Sequence, residues 1–232
     1  MNPRLKLIAP IALRSVMGTL VAEFARAHDH VVDATFDLNP AIPKRLLAGD
    51  DFAVGITNPW YVSDMIAAGA VVCESHQPFG RVPLAIGARN TGKTAIDQDI
   101  PALLTRAASI AYTAEGTSGG IFLSIAGHLG IRDALSPALR PMAAGEPVAG
   151  LVAGQVELAI APLTVIAATK GIQPIAIFPP SLGGDIEMSV FICAGNQDNQ
   201  PATDFIQFLS DAGRDALLSA NGIFRFELPL AT

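Results

Sequence analysis

The chain has 232 residues, half of them hydrophobic and only 16% charged, with a formal net charge of −6. That length suits two lobes of roughly 100 residues each better than one core. The acidic balance, with no cluster of lysine and arginine, argues against a nucleic-acid partner, because phosphate backbones demand such clusters.

The first segment, "MNPRLKLIAPIALRSVMGTLVAEFARAH", sets Arg4 and Lys6 ahead of the apolar run "LIAPIAL", as an export signal would. Arg14 then interrupts the run, and no small-x-small cleavage pattern closes it before Glu23 and Arg26. It reads instead as a strand, "LKLIAP", and an amphipathic helix from about Ala12 to Ala27. Taken as beginning at Met1, the chain is expected in the cytoplasm; an export signal removed ahead of Met1 would place it in the periplasm. His28 and His30 flank Asp29 at a spacing that points them to different faces of a helix, so both are expected in solvent. Next come "VVDATFD" with a helix around "PKRLLAG", "FAVGIT" with "WYVSDMIAAG", and "RVPLAIGAR". After these stand "ALLTRA", "SIAYTA", a long helix from about Ser118 to Leu129, "PVAGLVAG", "ELAIAP" and "TVIAAT". "IQPIAIFP" and "MSVFICAG" are again strands, and "PATDFIQFLSDAGRDALLSANG" reads as two helices. Short β-rich runs alternating with helices predict an α/β protein with largely parallel sheets. Apolar stretches such as "LAIAPLTVIAA" are too short to span a bilayer. Cys73 and Cys193 stand far apart and no close Cys/His pairs occur, so neither a metal site nor a required disulfide is expected.

One motif competes for attention. "GARNTGKT", Gly87 to Thr94, matches the phosphate loop Gly-x-x-x-x-Gly-Lys-Thr. Such a loop needs a helix growing directly out of Gly-Lys-Thr to supply backbone N–H groups and a positive dipole end. The residues after Thr94 are "AIDQDIPALL", where Pro101 opposes a helix running through and favours a new one beginning near it. No later strand ends in an obvious acidic magnesium ligand. ATP is therefore not expected as a ligand, and no cofactor is.

The chain also echoes itself. "KLIAPIALRSVM" and "SIAYTAEGTSGGIFL" each place a strand, a short loop and a helix start. In open α/β sheets, ligands sit beyond the carboxyl ends of strands, beside helix N-termini.

Taken together, "AIPKRLLAGDDFAVGIT", "GRVPLAIGAR", "SIAYTAEGTSGGIFLSIAGHLGI", "PVAGLVAGQVELAIAP" and "FIQFLSDAGRDALLSANGIF" make the chain resemble the type II periplasmic-binding-protein fold over nearly its full length. Within it the resemblance is to the branch around molybdate-binding solute receptors, some of whose relatives are enzymes, notably aconitate isomerase. It implies two lobes, each a mixed, mostly parallel sheet flanked by helices, joined by two hinge strands. Lobe one would comprise 1–85 and 188–232, and lobe two 86–187. Family members hold an oxyanion or carboxylate in the interdomain cleft with hydroxyls and helix N-termini. Carried over by position, this picks out Arg14, Asn39, Thr57, Asn58, Tyr112, Thr117, Ser118, Gly119 and Thr164.

The residues themselves support some of these. "GTSGG" before an apolar helix sets the Thr117 and Ser118 hydroxyls beside unpaired backbone donors, with glycines allowing close approach; the competing role is a simple helix cap. Arg14 could grip a carboxylate bidentately or lie on a solvated face. Tyr112 could donate its hydroxyl or pack as core with a polar tip. The sequence also departs from the oxyanion receptors. Ala9 and Pro10 stand where a serine is usual, Leu38, Asn39 and Pro40 replace the serines of the second helix start, and Ala53 replaces an aspartate. Fewer hydroxyls and an available arginine suit an organic carboxylate better than molybdate. The expected function is thus binding of a small organic anion, a di- or tricarboxylate. The alternative is a cytoplasmic isomerase shifting an allylic proton, for which the candidate general bases are Asp37, His76, Tyr112, Glu115 and Glu146.

Overall fold

The computed structural model describes residues 4–90 and 99–228. In chain order its elements are β1 (Leu5–Pro10), α1 (Arg14–His28), β2 (Val32–Asp37), α2 (Ala41–Leu47), β3 (Val54–Thr57), α3 (Pro59–Ala67) and β4 (Gln77–Arg89). Next are α4 (Ile100–Arg106), β5 (Ile110–Thr113), α5 (Thr117–His128), α6 (Arg132–Leu135), β6 (Leu139–Met142), α7 (Glu146–Val152), β7 (Leu158–Pro162), α8 (Leu163–Ala168) and β8 (Ile172–Ile177). The chain ends with β9 (Asp185–Ile192), α9 (Gln200–Ser210) and α10 (Asp215–Ala220). It divides into two compact units. One takes the described residues up to Arg81 and those from Glu187 on, and the other is Val82–Ile186. The crossings fall inside β4 and β9, at 81/82 and 186/187, against the boundaries expected at 85/86 and 187/188.

In the first unit β2, β1 and β3 lie side by side and parallel, and β9 runs antiparallel to β3. Parallel strands are covered on both faces, so they read as near-continuous apolar runs; β3, "VGIT", is buried at every position. One face packs Ile8 and Phe191 against Ile42, Leu46, Val62 and Met65 of α2 and α3. On α1, Phe24 meets Phe205 of α9 with ring centroids 4.9 Å apart. In the second unit β6, β5 and β7 are parallel, β4 is antiparallel to β7, and β8 pairs with β4. Phe122 and Ile125 of α5 and Leu104 of α4 join one core cluster, and Leu151 of α7 and Ile166 of α8 another.

Because the parallel strands of a unit share one direction, their carboxyl ends share one edge. In the first unit that edge carries the starts of α1, α2 and α3; in the second, those of α5, α7 and α8. Every candidate site residue except Tyr112 and Thr57, which are on strands, sits in one of these strand-to-helix passages.

The match "GARNTGKT" is only partly within view. Gly87 and Arg89 belong to β4, whereas 91–98 lie outside the described residues. Gly87 has a packing reason of its own, since a Cβ there would come within 3.2 Å of the Ile166 side chain. The next helix, α4, begins at Ile100 with Asp99 accepting from the Ala102 N–H. Both cysteines are free. Cys73 is exposed, and burial pushes the Cys193 thiol up to about 12. Among the described residues no helix is long and apolar enough to cross a membrane.

The C-terminal segment is tied down by one side chain. Arg225 donates to the Asp215 carboxylate at 2.8 Å, to the Phe79 carbonyl at 2.7 Å and to the Leu209 carbonyl at 2.9 Å. Charged hydrogen bonds to partly buried carbonyls are among the stronger ones. Arg225→Ala should lower the unfolding free energy by about 2–3 kcal/mol, with Arg225→Lys recovering only part of it, as read in urea titrations.

Candidate functional site

In the first unit the strand-end edge is built from Asn39, Thr57 and Asn58. Thr57 closes β3, and its hydroxyl lies 3.1 Å from the Asn39 carbonyl oxygen and 3.2 Å from Asn39 Oδ1, donating to one of them. Asn58 is fully buried and donates through Nδ2 to the Glu187 carbonyl at 2.6 Å. Directly across from Thr57 in the β3–β9 ladder stands Ser189. Opposed residues in an antiparallel pair share a face. Ser189 Oγ is fully buried and has no partner among the described residues. Sequence reasoning passed over this residue, although a serine inside the apolar run "EMSVFICA" was a visible signal. Arg14 is the first residue of α1, exposed, with its guanidinium 4.9 Å above the Phe36 ring.

In the second unit β5 delivers Tyr112 to the edge and α5 begins four residues after β5 ends. The helix N-cap is Gly116, which has no side chain to cap with. Thr117 and Ser118 are therefore the first two helical residues, and the capping role weighed for them is not realised. Gly119 is explained by packing. A Cβ there would collide with the Thr113 carbonyl oxygen and crowd the Tyr112 ring at 3.1 Å. Gly120 faces open space. Tyr112 is largely buried, its ring 5.7 Å from that of Phe122. Thr164, the second residue of α8, has a buried hydroxyl without a partner among the described residues.

Among the described residues the buried polar side chains are Asn39, Thr57, Asn58, Ser118, Thr164 and Ser189, and none of them is charged. All six lie on the two strand-end edges, and five of them are residues that the sequence singled out. An unpaired buried hydroxyl costs roughly 1–3 kcal/mol. Thr164 and Ser189 carry such hydroxyls on the edges, and Ser210 at the end of α9 carries one away from them. With helix N–H groups that also lack intrahelical partners, each edge is rich in donors and, among the described residues, free of buried negative charge.

The candidate bases are arranged otherwise. Asp37 accepts from the Leu38 N–H at 2.8 Å and faces Arg45 at 3.3 Å, and Glu146 accepts from the Ala143 N–H at 2.8 Å. A groove of about 440 Å³ along α7 includes Glu146 but no other candidate. Glu115 is exposed in the turn before α5. His76 stands at the opposite edge of the first sheet. The neighbouring Ser75 Oγ accepts from the Ile192 N–H, and Ile192 pairs with Val54 at the start of β3, not its end. His28 is exposed, as expected, while its ring stacks on Phe24 at 4.5 Å; His30 is only half-exposed, its Nδ1 buried without a partner among the described residues. No group of three His, Cys, Asp or Glu able to hold a metal occurs among the described residues.

Comparison with known proteins places this geometry. The model of a family described as bacterial extracellular solute-binding protein matches residues 5–223. No curated protein matches the chain in sequence. Among solved structures, the periplasmic molybdate-binding protein of Azotobacter vinelandii is similar at 16% identity and a TM-score of 0.83, covering 97% of this chain and 99% of its own. The sulfate-binding protein SubI of Mycobacterium tuberculosis is 15% identical, with a TM-score of 0.77 over 96% of this chain and 86% of its own. L-phospholactate-bound PEB3, a Campylobacter jejuni protein, is 13% identical, with a TM-score of 0.73 over 96% of this chain and all of its own. At such identities the likeness is one of fold. The family is one of proteins that act outside the cytoplasm, which fits the exported option; the cytoplasmic placement finds no support in it.

Two measurements check this description. Gly119→Ala should lower stability by about 1–3 kcal/mol through overpacking, whereas Gly120→Ala should be neutral or stabilising by up to ~1 kcal/mol, in paired thermal melts. Burial lowers the His76 pKa below its ordinary 6.5, so the folded protein favours the neutral ring. The unfolded chain then binds more protons as the pH falls below about 6.5, and stability present above that pH is lost towards the folded pKa. Urea titrations at about pH 7 and about pH 5 should show this loss, and His76→Gln should make it smaller.

Proposed function

We propose, for a chain that belongs to the bacterial extracellular solute-binding proteins, that its solute is a small organic anion, a di- or tricarboxylate. The observation that carries this reading is the confinement of the buried polar side chains to the strand-end edges, beside helix starts. On the second unit's edge the contacts assigned to an anion are the first-turn donors of α5 with Ser118 and the hydroxyl of Thr164; on the first unit's edge they are the amide side chain of Asn39 and Arg14. Thr57 and Asn58 shape the edge. With its hydroxyl on the Asn39 oxygen, Thr57 leaves the Asn39 Nδ2 group to donate outward. Asn58 is bonded to the Glu187 carbonyl. Removing a carboxylate from water unpaired costs several kcal/mol, so several donors must converge on it.

The arginine fork presents two parallel N–H donors that a carboxylate accepts bidentately, as a tetrahedral oxyanion also does. The carboxylate reading therefore rests on the departures Ala9, Pro10 and Leu38–Pro40 from the hydroxyl-rich oxyanion sites. Arg14 engages only the Phe36 ring among the contacts described, an interaction worth about 0.5–1 kcal/mol at an exposed site, which leaves the guanidinium free to turn to a ligand. For the isomerase alternative Tyr112, at the strand-end edge, and Glu115, exposed in the turn before α5, are the candidate bases with no polar engagement among the described residues. Asp37 and Glu146 are already engaged, and His76 is at the far edge.

A thermal-shift panel of citrate, tricarballylate and succinate against molybdate, sulfate and ATP tests the reading. Stabilisation by at least one carboxylate is expected; stabilisation by molybdate, sulfate or ATP alone would sink it. With the best carboxylate, Arg14→Gln should weaken binding at the first unit's edge and Ser118→Ala at the second unit's edge, each about tenfold, or ~1.4 kcal/mol, with little change in unliganded stability.

A further inference from the structure

The donors account for the head of an organic anion; the same edge of the first unit also carries aromatic surface for which an inorganic ion has no use. Trp60 is the chain's one tryptophan, and 48% of it is exposed. It is the second residue of α3, two positions past the buried Asn58. In a helix each Cα–Cβ bond tilts towards the N-terminus, and a side chain covers the turn before its own Cα. The indole is thereby carried back over the start of α3, towards the edge formed by Asn39, Thr57 and Asn58. Tyr61 lies beside it, ring centroids 5.7 Å apart at 53°. On the same edge Ser189 Oγ, fully buried and across the ladder from Thr57, is left without a partner among the described residues. Polar donors and an uncovered, stiff aromatic ring on the same edge are what a ligand with a charged head and a flat carbon body requires.

We propose that Trp60 is a specificity-determining residue whose indole packs on a planar carbon skeleton, so that the preferred solutes are unsaturated or aromatic di- and tricarboxylates. This rests on the anion reading above and narrows it from charge to carbon shape. Trp60 holds the ligand's body and takes no part in orienting its carboxylates.

The test uses matched pairs of equal charge: phthalate with cyclohexane-1,2-dicarboxylate, cis-aconitate with tricarballylate, and fumarate with succinate. Calorimetry gives the affinities, and quenching of the single tryptophan reports contact directly in the wild type. The planar member of at least one pair should bind the wild type more tightly and quench its fluorescence. Trp60→Ala should weaken that member about 3–10-fold and its saturated counterpart by less than about twofold, while Trp60→Phe keeps most of the preference. Because Trp60 is half exposed, both variants should melt like the wild type. Equal affinity of Trp60→Ala and wild type for every planar member would overturn the proposal while leaving anion binding intact. No binding of any of the six by the wild type would instead remove the anion reading, and this proposal with it.

Discussion

The structure turns on how helices begin. A helix start leaves backbone N–H groups without intrahelical partners, and a protein can satisfy them with a side-chain cap, with water or with a ligand. In this chain α4 and α9 are capped by Asp99 and Asn199. The helices that follow parallel strand ends, α1 after a 3-10 turn at Ile11–Leu13 and then α2, α3, α5, α7 and α8, have no side-chain cap bond. Gly116 makes the case most clearly, because the residue at the α5 N-cap position has nothing to cap with. The donors that other helices spend on their own side chains are kept available on these two edges.

The polar side chains obey the same division. Each core is apolar up to the strand ends, and there the buried hydroxyls and amides appear. Some are locked to the backbone, as Asn58 is to Glu187; others, Thr164 and Ser189, are not. A fold that only needed stability would replace such unpaired groups with apolar ones of similar shape. Their retention, without any buried carboxylate beside them, is the physical argument for a negatively charged guest.

Much of this was legible in the sequence, for identifiable reasons. "LKLIAP" is β1 residue for residue, since a strand buried on both faces leaves an unbroken apolar run that Pro10 and the subsequent turn close. The start of α5 was placed within one residue because Gly-Thr-Ser-Gly-Gly punctuates so strongly. β6 and α6 were missed. β6 is four residues at the margin of its sheet with a partly exposed pattern and a proline, so no alternation survives to be read. Of the candidate site, Asn39, Thr57, Asn58, Ser118 and Thr164 were found through positional likeness and proved buried. Ser189 escaped because one hydroxyl in an apolar strand has no local signature; its importance comes from the register with Thr57. The roles were less legible than the positions. Gly119 looked like room for a ligand and is room for β5, a close approach that only the packed backbone reveals. His76 looked like a base, but the β3–β9 pairing puts it at the wrong end of the sheet.

The central claim is that uncapped helix starts on a strand-end edge hold the anion. Amide hydrogen exchange with and without tricarballylate addresses it most directly. The account predicts slowed exchange confined to uncapped helix starts on a strand-end edge, with the capped starts of α4 and α9 unchanged. Protection spread evenly over the chain, or centred on the groove along α7, would contradict it.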